Sequence, residues 1–171
     1  MGVSLSFLAI KGRTPEAIHR ALDLTDTGTV AGEWDYPRLD DADHRFVMED
    51  EILARLSQGC EVVACRLSEG VMASDCLAWQ DGTKLWEVEH APDEDDVNHL
   101  VVEGTPPPAF EAIAARLRAQ QAEEDRKDSE MPVDYIWEIP IELANSLCRY
   151  RHDQYADWGK PEFRILAAGK A

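Results

Sequence analysis

Hydrophobic positions along the chain recur with a period of two in some stretches and of three to four in others, which predicts alternating strands and helices. Residues 3–10 are apolar and strand-like, and Thr14-Pro15-Glu16 follows after a glycine turn. Threonine is a favoured helix N-cap and proline is favoured at the first helical position, so this tripeptide predicts the start of a helix.

Three further apolar runs lie close together in the middle of the chain, at residues 61–67, 71–79 and 83–90. Asp81-Gly82 separates the second run from the third, and Asp-Gly between strand-like runs favours a two-residue hairpin. Strict alternation in the third run would place Trp86 and Lys84 on one face of the strand, with Trp86 in the core. The three runs predict an antiparallel meander.

The strand-to-helix pattern of the N-terminus returns twice later in the chain. Residues 99–103 read as a short strand, and a helix carrying Phe110 and Leu117 at helical spacing follows a run of three prolines. A looser version runs from a strand at residues 135–139 into a helix that begins at Pro140. Consecutive antiparallel strands flanked by helices predict an α+β fold, a mainly antiparallel sheet with a central meander and helices packed on one face.

A chain of 171 residues, 44% hydrophobic and 30% charged, is long enough to bury one core, so we expect a single domain over residues 1–171. Two segments are rich in polar residues and lack a clear period. Residues 23–43 read as an irregular connection with at most one short strand, and residues 121–132 read as a fraying helix end or linker.

Compartment signals favour the cytoplasm. No run approaches the roughly 20 apolar residues of a membrane span, and the N-terminus lacks the basic and apolar regions of a signal peptide. The four cysteines stand in apolar, periodic contexts, where thiols behave as small hydrophobic groups, and we expect them to be reduced. They are Cys60, Cys65, Cys76 and Cys148.

The formal net charge is -17, and most of the excess falls in two windows. Residues 23–61 carry a net charge of -8 and residues 87–103 a net charge of -7. Glu49, Asp50 and Glu51 precede an apolar helical pattern, where acidic side chains complement the helix dipole. The remaining acid predicts attraction to a basic protein and repulsion of nucleic acid and of anionic membranes.

Sequence signatures of common catalytic sites are missing. The chain has no G-x-x-x-x-G-K-[ST] loop, no G-x-G-x-x-G turn, no G-x-S-x-G elbow, and no cysteine or histidine pair at zinc-ligand spacing. We therefore assign no catalytic residue and favour a function other than catalysis.

A divalent cation is the one cofactor that the sequence suggests. His90 and His99 bracket four consecutive carboxylates, and His90, His99, Asp93 and Asp95 could supply nitrogen and oxygen ligands. The simpler interpretation is a solvated acidic loop between two strands, since adjacent like charges repel unless a cation is present.

These observations favour a small acidic module that binds a basic protein, as an immunity-like or antitoxin-like inhibitor or a nucleic-acid mimic would. The candidate partner-binding residues are acidic residues without a local structural role and one aromatic pair. They are Asp40, Asp41, Asp43, Asp93, Glu94, Asp95, Asp96, Trp34 and Tyr36. A cation-binding protein or metal-dependent enzyme, and a structural or homo-oligomeric protein whose acid maintains solubility, are the alternatives.

Overall fold

A computed structural model describes most of the chain, namely residues 3–30, 49–92, 96, 98–127, 133–154 and 163–168. These ranges contain seven strands: β1 (Ser4–Lys11), β2 (Leu24–Val30), β3 (Glu61–Ser68), β4 (Ala73–Gln80), β5 (Thr83–His90), β6 (Val101–Gly104) and β7 (Arg164–Ala168). They also contain four helices: α1 (Pro15–Ala21), α2 (Asp50–Leu56), α3 (Ala109–Glu124) and α4 (Glu138–Cys148). The predicted α+β class is confirmed.

Five of these strands form one antiparallel sheet in the order β1-β3-β4-β5-β6. The predicted meander is its centre, because β3, β4 and β5 pair in sequence order. Strands β2 and β7 form a separate antiparallel pair. Strands β3 and β4 are buried along most of their length.

The turn between β4 and β5 explains the register of the hairpin. Asp81 and Gly82 both have positive φ angles, 49° and 80°, which is the geometry of a type I′ turn. A bulge follows, because Trp79 is opposite Lys84 while Ala78 is opposite Trp86. Trp86 is buried as expected, but the bulge turns Lys84 to the other face, so strict alternation was wrong at that position.

The two long helices, α3 and α4, pack on one face of the five-stranded sheet. Buried side chains of β3, β4 and β5 meet those of the two helices in a continuous apolar cluster. The strand residues in it are Val63, Cys65, Cys76, Ala78, Trp86 and Val88, and the helical residues are Phe110, Ala114, Leu117, Ile139, Leu143 and Ala144.

The opposite face is apolar at one end and charged at the other. At the apolar end, Ile52, Leu53 and Leu56 of α2 pack over Val62 and Trp79. Helix α1 lies beside this cluster and begins as predicted, since the Thr14 hydroxyl accepts a hydrogen bond from the Ala17 amide. The charged part of the same face covers the end of β3, the start of β4, the length of β5 and part of β6.

The strand predicted at residues 135–139 is wrong. Tyr135 and Ile136 lie in bends, and α4 has already begun at Glu138. The Asp134 carboxylate accepts hydrogen bonds from the amides of Ile136 and Trp137, which turns the chain towards a helix. The apolar run is buried against the sheet through this turn and the first helical residues.

The four cysteines are free thiols. Cys65 and Cys76 are fully buried opposite each other on β3 and β4, and burial raises the pKa of both thiols. Neither thiol is therefore reactive at neutral pH. Among the described helices, none is long and apolar enough to cross a bilayer.

The two segments predicted as irregular are described in part. Within residues 23–43 the structure contains the strand β2, and residues 31–43 lie outside the described ranges. Within residues 121–132, α3 continues to Glu124, and residues 128–132 lie outside the described ranges.

Candidate functional site

The charged end of the sheet face carries four carboxylates and two cations. Arg66, Asp75 and Glu89 are directly opposite one another on three adjacent strands, and Glu87 is opposite Glu103 one row further along. We call this surface the acidic face; it consists of Arg66, Asp75, Lys84, Glu87, Glu89 and Glu103.

Ion pairs within the acidic face neutralise part of its charge. Arg66 Nε lies 2.7 Å from Asp75 Oδ1, and Arg66 Nη2 lies 3.8 Å from Glu87 Oε1. Lys84 Nζ lies 2.6 Å from Glu87 Oε2 and 3.5 Å from Glu103 Oε2. Because two cations face four carboxylates, the surface keeps an excess of negative charge.

Asp75 is the most unusual group of the acidic face. It is only 6% exposed, and its Oδ2 atom is buried and has no hydrogen-bond partner among the residues that the structure describes. Burial raises the pKa of the carboxyl to about 6, and the neighbouring Glu87 and Glu89 add to the rise while Arg66 opposes it. Buried carboxyls with a strongly shifted pKa are concentrated at binding and catalytic sites.

A cavity of about 140 Å³ lies over Asp75. The cavity is lined by residues of β3, β4 and β5 and by the residue that follows β5. They are Arg66, Leu67, Ser68, Ala73, Ser74, Asp75, Glu89, His90 and Ala91. The cavity therefore brings the carboxylates of Asp75 and Glu89 to one concave surface.

Glu89 is the carboxylate of this cavity without a local counter-ion. Its side chain is half-buried and makes no hydrogen bond or ion pair with the residues that the structure describes. Arg66 acts on it only through the longer-range electrostatic interaction that helps to raise the arginine pKa. The negative charge of Glu89 is available to a ligand.

A second polar cluster lies on the other face of the sheet, at the end of β5. His90 is fully buried; its Nδ1 lies 2.6 Å from the His99 carbonyl oxygen and its Nε2 lies 3.1 Å from Asp134 Oδ2. Both partners are acceptors, so His90 donates from both ring nitrogens and is held as an imidazolium beside the Asp134 carboxylate.

The pKa values of the pair agree with this geometry. Burial by itself lowers the pKa of His90, but the hydrogen bonds to Asp134 and to the His99 carbonyl outweigh it and the net pKa is raised. Burial raises the pKa of Asp134, but the bond from His90 and the amides of Ile136 and Trp137 lower it overall. The pair is therefore ionised near pH 6.

The His90 cluster does not form a nucleophilic triad. Ser74 is opposite His90 on β4, but the Ser74 hydroxyl donates to the Trp137 carbonyl at 2.7 Å. Both nitrogens of His90 already donate, so neither can accept the serine proton, as a general base must. His90 and Ser74 hold β4, β5 and the start of α4 together.

Most residues of the predicted partner-binding site lie outside the described ranges, so that prediction stays a prediction. These residues are Trp34, Tyr36, Asp40, Asp41, Asp43, Asp93, Glu94 and Asp95. Asp96 is described; it is exposed, and its charge contributes to the raised pKa of His90.

The predicted metal site is described only at its two histidines. Their ring centroids lie 6.5 Å apart, and His99 Nδ1 accepts a hydrogen bond from the Ala91 amide at 3.0 Å. Cation binding at His90 would have to displace one of its two hydrogen bonds. In the described residues no group of three His, Cys, Asp or Glu side chains could hold a metal ion, and Asp93 and Asp95 lie outside those residues.

A scan against protein-family models found no match to the chain, and neither did searches of curated proteins and of solved structures. The evidence for a function therefore comes from the residues and their geometry.

Sequence reasoning did not select the residues of the acidic face. Glu87, Glu89 and Glu103 lie in the acidic window at 87–103, but nothing in the sequence distinguished them from their neighbours. Asp75 could have been selected from the sequence, because a single carboxylate inside an apolar strand is rarely buried unless it is paired. The signal became clear only when the cross-strand register placed Arg66 and Glu89 beside it.

Proposed function

We propose that this protein is a small binding module that recognises a basic protein through its acidic face, in the manner of an immunity-like or antitoxin-like inhibitor. The observation that carries the proposal is the excess of carboxylates over cations on four adjacent strands, together with a Glu89 that makes no ion pair with the described residues.

The sheet gives this surface a fixed shape. Strands β4 and β5 are paired along their whole length, and the opposite face is held by α3 and α4. Charges mounted on a rigid scaffold need little ordering when a partner binds, which reduces the entropic cost of association. They also raise the rate at which an oppositely charged partner is captured.

The charge of the whole chain supports the same conclusion. With a net charge of -17, the protein repels nucleic acid at long range and attracts basic proteins. The predicted acidic residues at 93–96 are separated by two residues from the end of β5 in the sequence, and β5 is the strand that carries Glu87 and Glu89.

A charge-reversal pair tests the proposal. The double variant Glu89→Lys/Glu103→Lys changes the acidic face, and Glu111→Lys/Glu123→Lys makes the same change in net charge at exposed positions of α3. Affinity capture from the native cell at low and high salt, with each variant and the unmodified chain, compares the basic proteins retained.

We expect the unmodified chain and the α3 variant to retain a basic partner at low salt and to release it at high salt. The acidic-face variant should lose that partner although its circular dichroism spectrum is unchanged. Equal retention of the partner by the two double variants would show that the acidic face is not the binding surface.

A further inference from the structure

The unpartnered oxygen of Asp75 indicates what the acidic face recognises. Arg66 Nε donates to Asp75 Oδ1, but Oδ2 is buried and receives no hydrogen bond from the described part of the chain. An unsatisfied buried acceptor destabilises the free protein, and it does so more strongly when the group is charged. Asp75 lines the cavity, so a small rotation of its side chain would bring Oδ2 to a hydrogen-bond donor placed there. Such a donor would satisfy this oxygen, which favours a ligand that donates hydrogen bonds.

The second carboxylate of the cavity lies on the next strand. Asp75 and Glu89 are directly opposite in the antiparallel register, and both line the cavity. Side chains at directly opposite positions start about 5 Å apart at Cβ and point to the same side of the sheet. The two carboxylates can therefore accept hydrogen bonds from one planar donor group.

The charge balance of the cavity calls for one cation. Its ionisable lining on this face consists of one cation, Arg66, and two carboxylates, Asp75 and Glu89. Arg66 is half-exposed and is already paired with Asp75, so Glu89 has no direct ion pair among the described residues. One further positive charge would neutralise the lining.

We propose that this cavity holds the guanidinium group of an arginine side chain from the basic partner, with Asp75 and Glu89 as its acceptors. This inference rests on the proposed function and names the side chain that the acidic face recognises. The planar guanidinium presents several donors in a fixed fork that can serve two carboxylates at once, whereas an ammonium is a point charge. A guanidinium is also more weakly hydrated than an ammonium, so it loses less hydration free energy when it enters a partly enclosed site.

The test uses the full-length protein and a small probe. Titration with N-acetyl-argininamide, followed by chemical shifts of the backbone amides, is compared with N-acetyl-lysinamide at the same ionic strength. We expect argininamide to shift the amides of Asp75 and Glu89 with a millimolar dissociation constant, and lysinamide to bind at least fivefold more weakly.

Two conservative variants locate the probe. Glu89→Gln keeps the size of the side chain and should weaken argininamide binding at least fivefold, while Glu111→Gln on α3 should leave the binding unchanged. Because Glu89 is half-buried and has no ion-pair partner among the described residues, its variant is expected to fold; Asp75→Asn serves as a second variant.

The pH dependence of probe binding gives an independent readout. Asp75 faces Arg66 on β3 and Glu87 and Glu89 on β5, and its ionised form is the one that accepts a guanidinium. Since half of the Asp75 carboxyl is protonated at about pH 6, binding should weaken about tenfold between pH 7.5 and about pH 5.

Equal affinity for the two probes, or argininamide binding that survives Glu89→Gln, would overturn the inference. An absence of amide shifts at Asp75 and Glu89 would also overturn it. The same result is expected if an arginine of this chain already fills the cavity. If partner capture still depends on Glu89 and Glu103 in that event, only the arginine site fails and the proposed function remains. If partner capture is also independent of both, the proposed function fails as well.

Discussion

His90 Nε2 lies 3.1 Å from Asp134 Oδ2, and this contact joins the end of β5 to the turn that starts α4. His90 is fully buried, and its other nitrogen donates to the carbonyl of His99. Asp134 uses its second oxygen to accept the amides of Ile136 and Trp137. The ion pair and its hydrogen bonds therefore join the start of α4, the end of β5 and the backbone at His99.

Removing the charge of Asp134 should destabilise the protein. Asp134→Asn can still accept the two amides of the turn but leaves the His90 imidazolium without a counter-ion. We expect a loss of about 2 kcal/mol, the usual size for a hydrogen bond to a charged group. Asp134→Ala also removes the turn acceptor and should cost about 1 kcal/mol more. Urea unfolding at pH 6 measures the stability of both variants. Equal stability of the two would contradict a separate contribution of the turn acceptor.

The contribution of the His90–Asp134 pair should depend on pH in a defined window. The pKa of His90 is raised above 6.5 by folding, so its contribution is fully present below that value and is lost as pH rises through the folded pKa. The pKa of Asp134 is lowered below 3.8, so its contribution is present above that value and is lost as pH falls through the folded pKa.

The stability difference between the unmodified chain and Asp134→Asn should therefore be largest between about pH 4 and 6.5 and should shrink on either side. Unfolding free energies at half-unit pH steps would show this. A difference that keeps growing above pH 8 would be inconsistent with an imidazolium at His90.

Ionisation of Asp75 should reduce the stability of the folded protein, whereas ionisation of the His90–Asp134 pair increases it. Its carboxyl has a pKa of about 6 in the folded protein and an ordinary value of 3.8, so the folded state holds its proton over that interval while the unfolded state does not. Ionisation of Asp75 should therefore reduce stability as pH rises from about 4 to 6 and leave it lower at neutral pH.

Asp75→Asn should remove this part of the pH profile. We expect the stability of the variant relative to the unmodified chain to improve as pH rises from about 4 to 7, because the asparagine does not ionise. Thermal unfolding of the two proteins across this range checks it, with Glu111→Gln as the matched control. Parallel profiles for Asp75→Asn and the unmodified chain would be evidence against the raised pKa.

Gly59 and Gly104 both have positive φ angles but differ in the space around them, so their alanine variants distinguish backbone strain from steric overlap. Gly59 has a φ of +70° and open space around an added Cβ, so Gly59→Ala should cost about 1 kcal/mol from strain alone. Gly104 has a φ of +69°, but there an added Cβ would overlap the Leu85 carbonyl oxygen and lie 2.9 Å from the Trp86 Cα.

Because the backbone of β5 cannot move without breaking its pairing, Gly104→Ala should cost at least 2 kcal/mol more than Gly59→Ala. We expect β6 to detach, with faster hydrogen exchange at the amides that pair with it. A similar loss of stability in the two variants would mean that β6 shifts without cost.

Local signals predicted the elements whose structure depends on near neighbours. Three such elements each depend on a few consecutive residues, so the sequence alone predicts them. They are the Thr14 cap, the Asp81-Gly82 turn and the acidic start of α2. The strand predicted at 135–139 failed because the same apolar pattern can be buried through a turn and a helix. Lys84 changed face because a bulge inserts one residue into the alternation.

The candidate site also combines features that the sequence predicts with features that only the tertiary structure shows. The sequence by itself determined that the protein is acidic, that its central strands form a meander and that common catalytic motifs are missing. Only the tertiary structure decided that Arg66, Asp75 and Glu89 are opposite one another, and that His90 meets Asp134 across 44 residues. Hydrophobic period and turn chemistry act over a few residues, whereas strand register and burial, which set the pKa of Asp75, arise from contacts between distant parts of the chain.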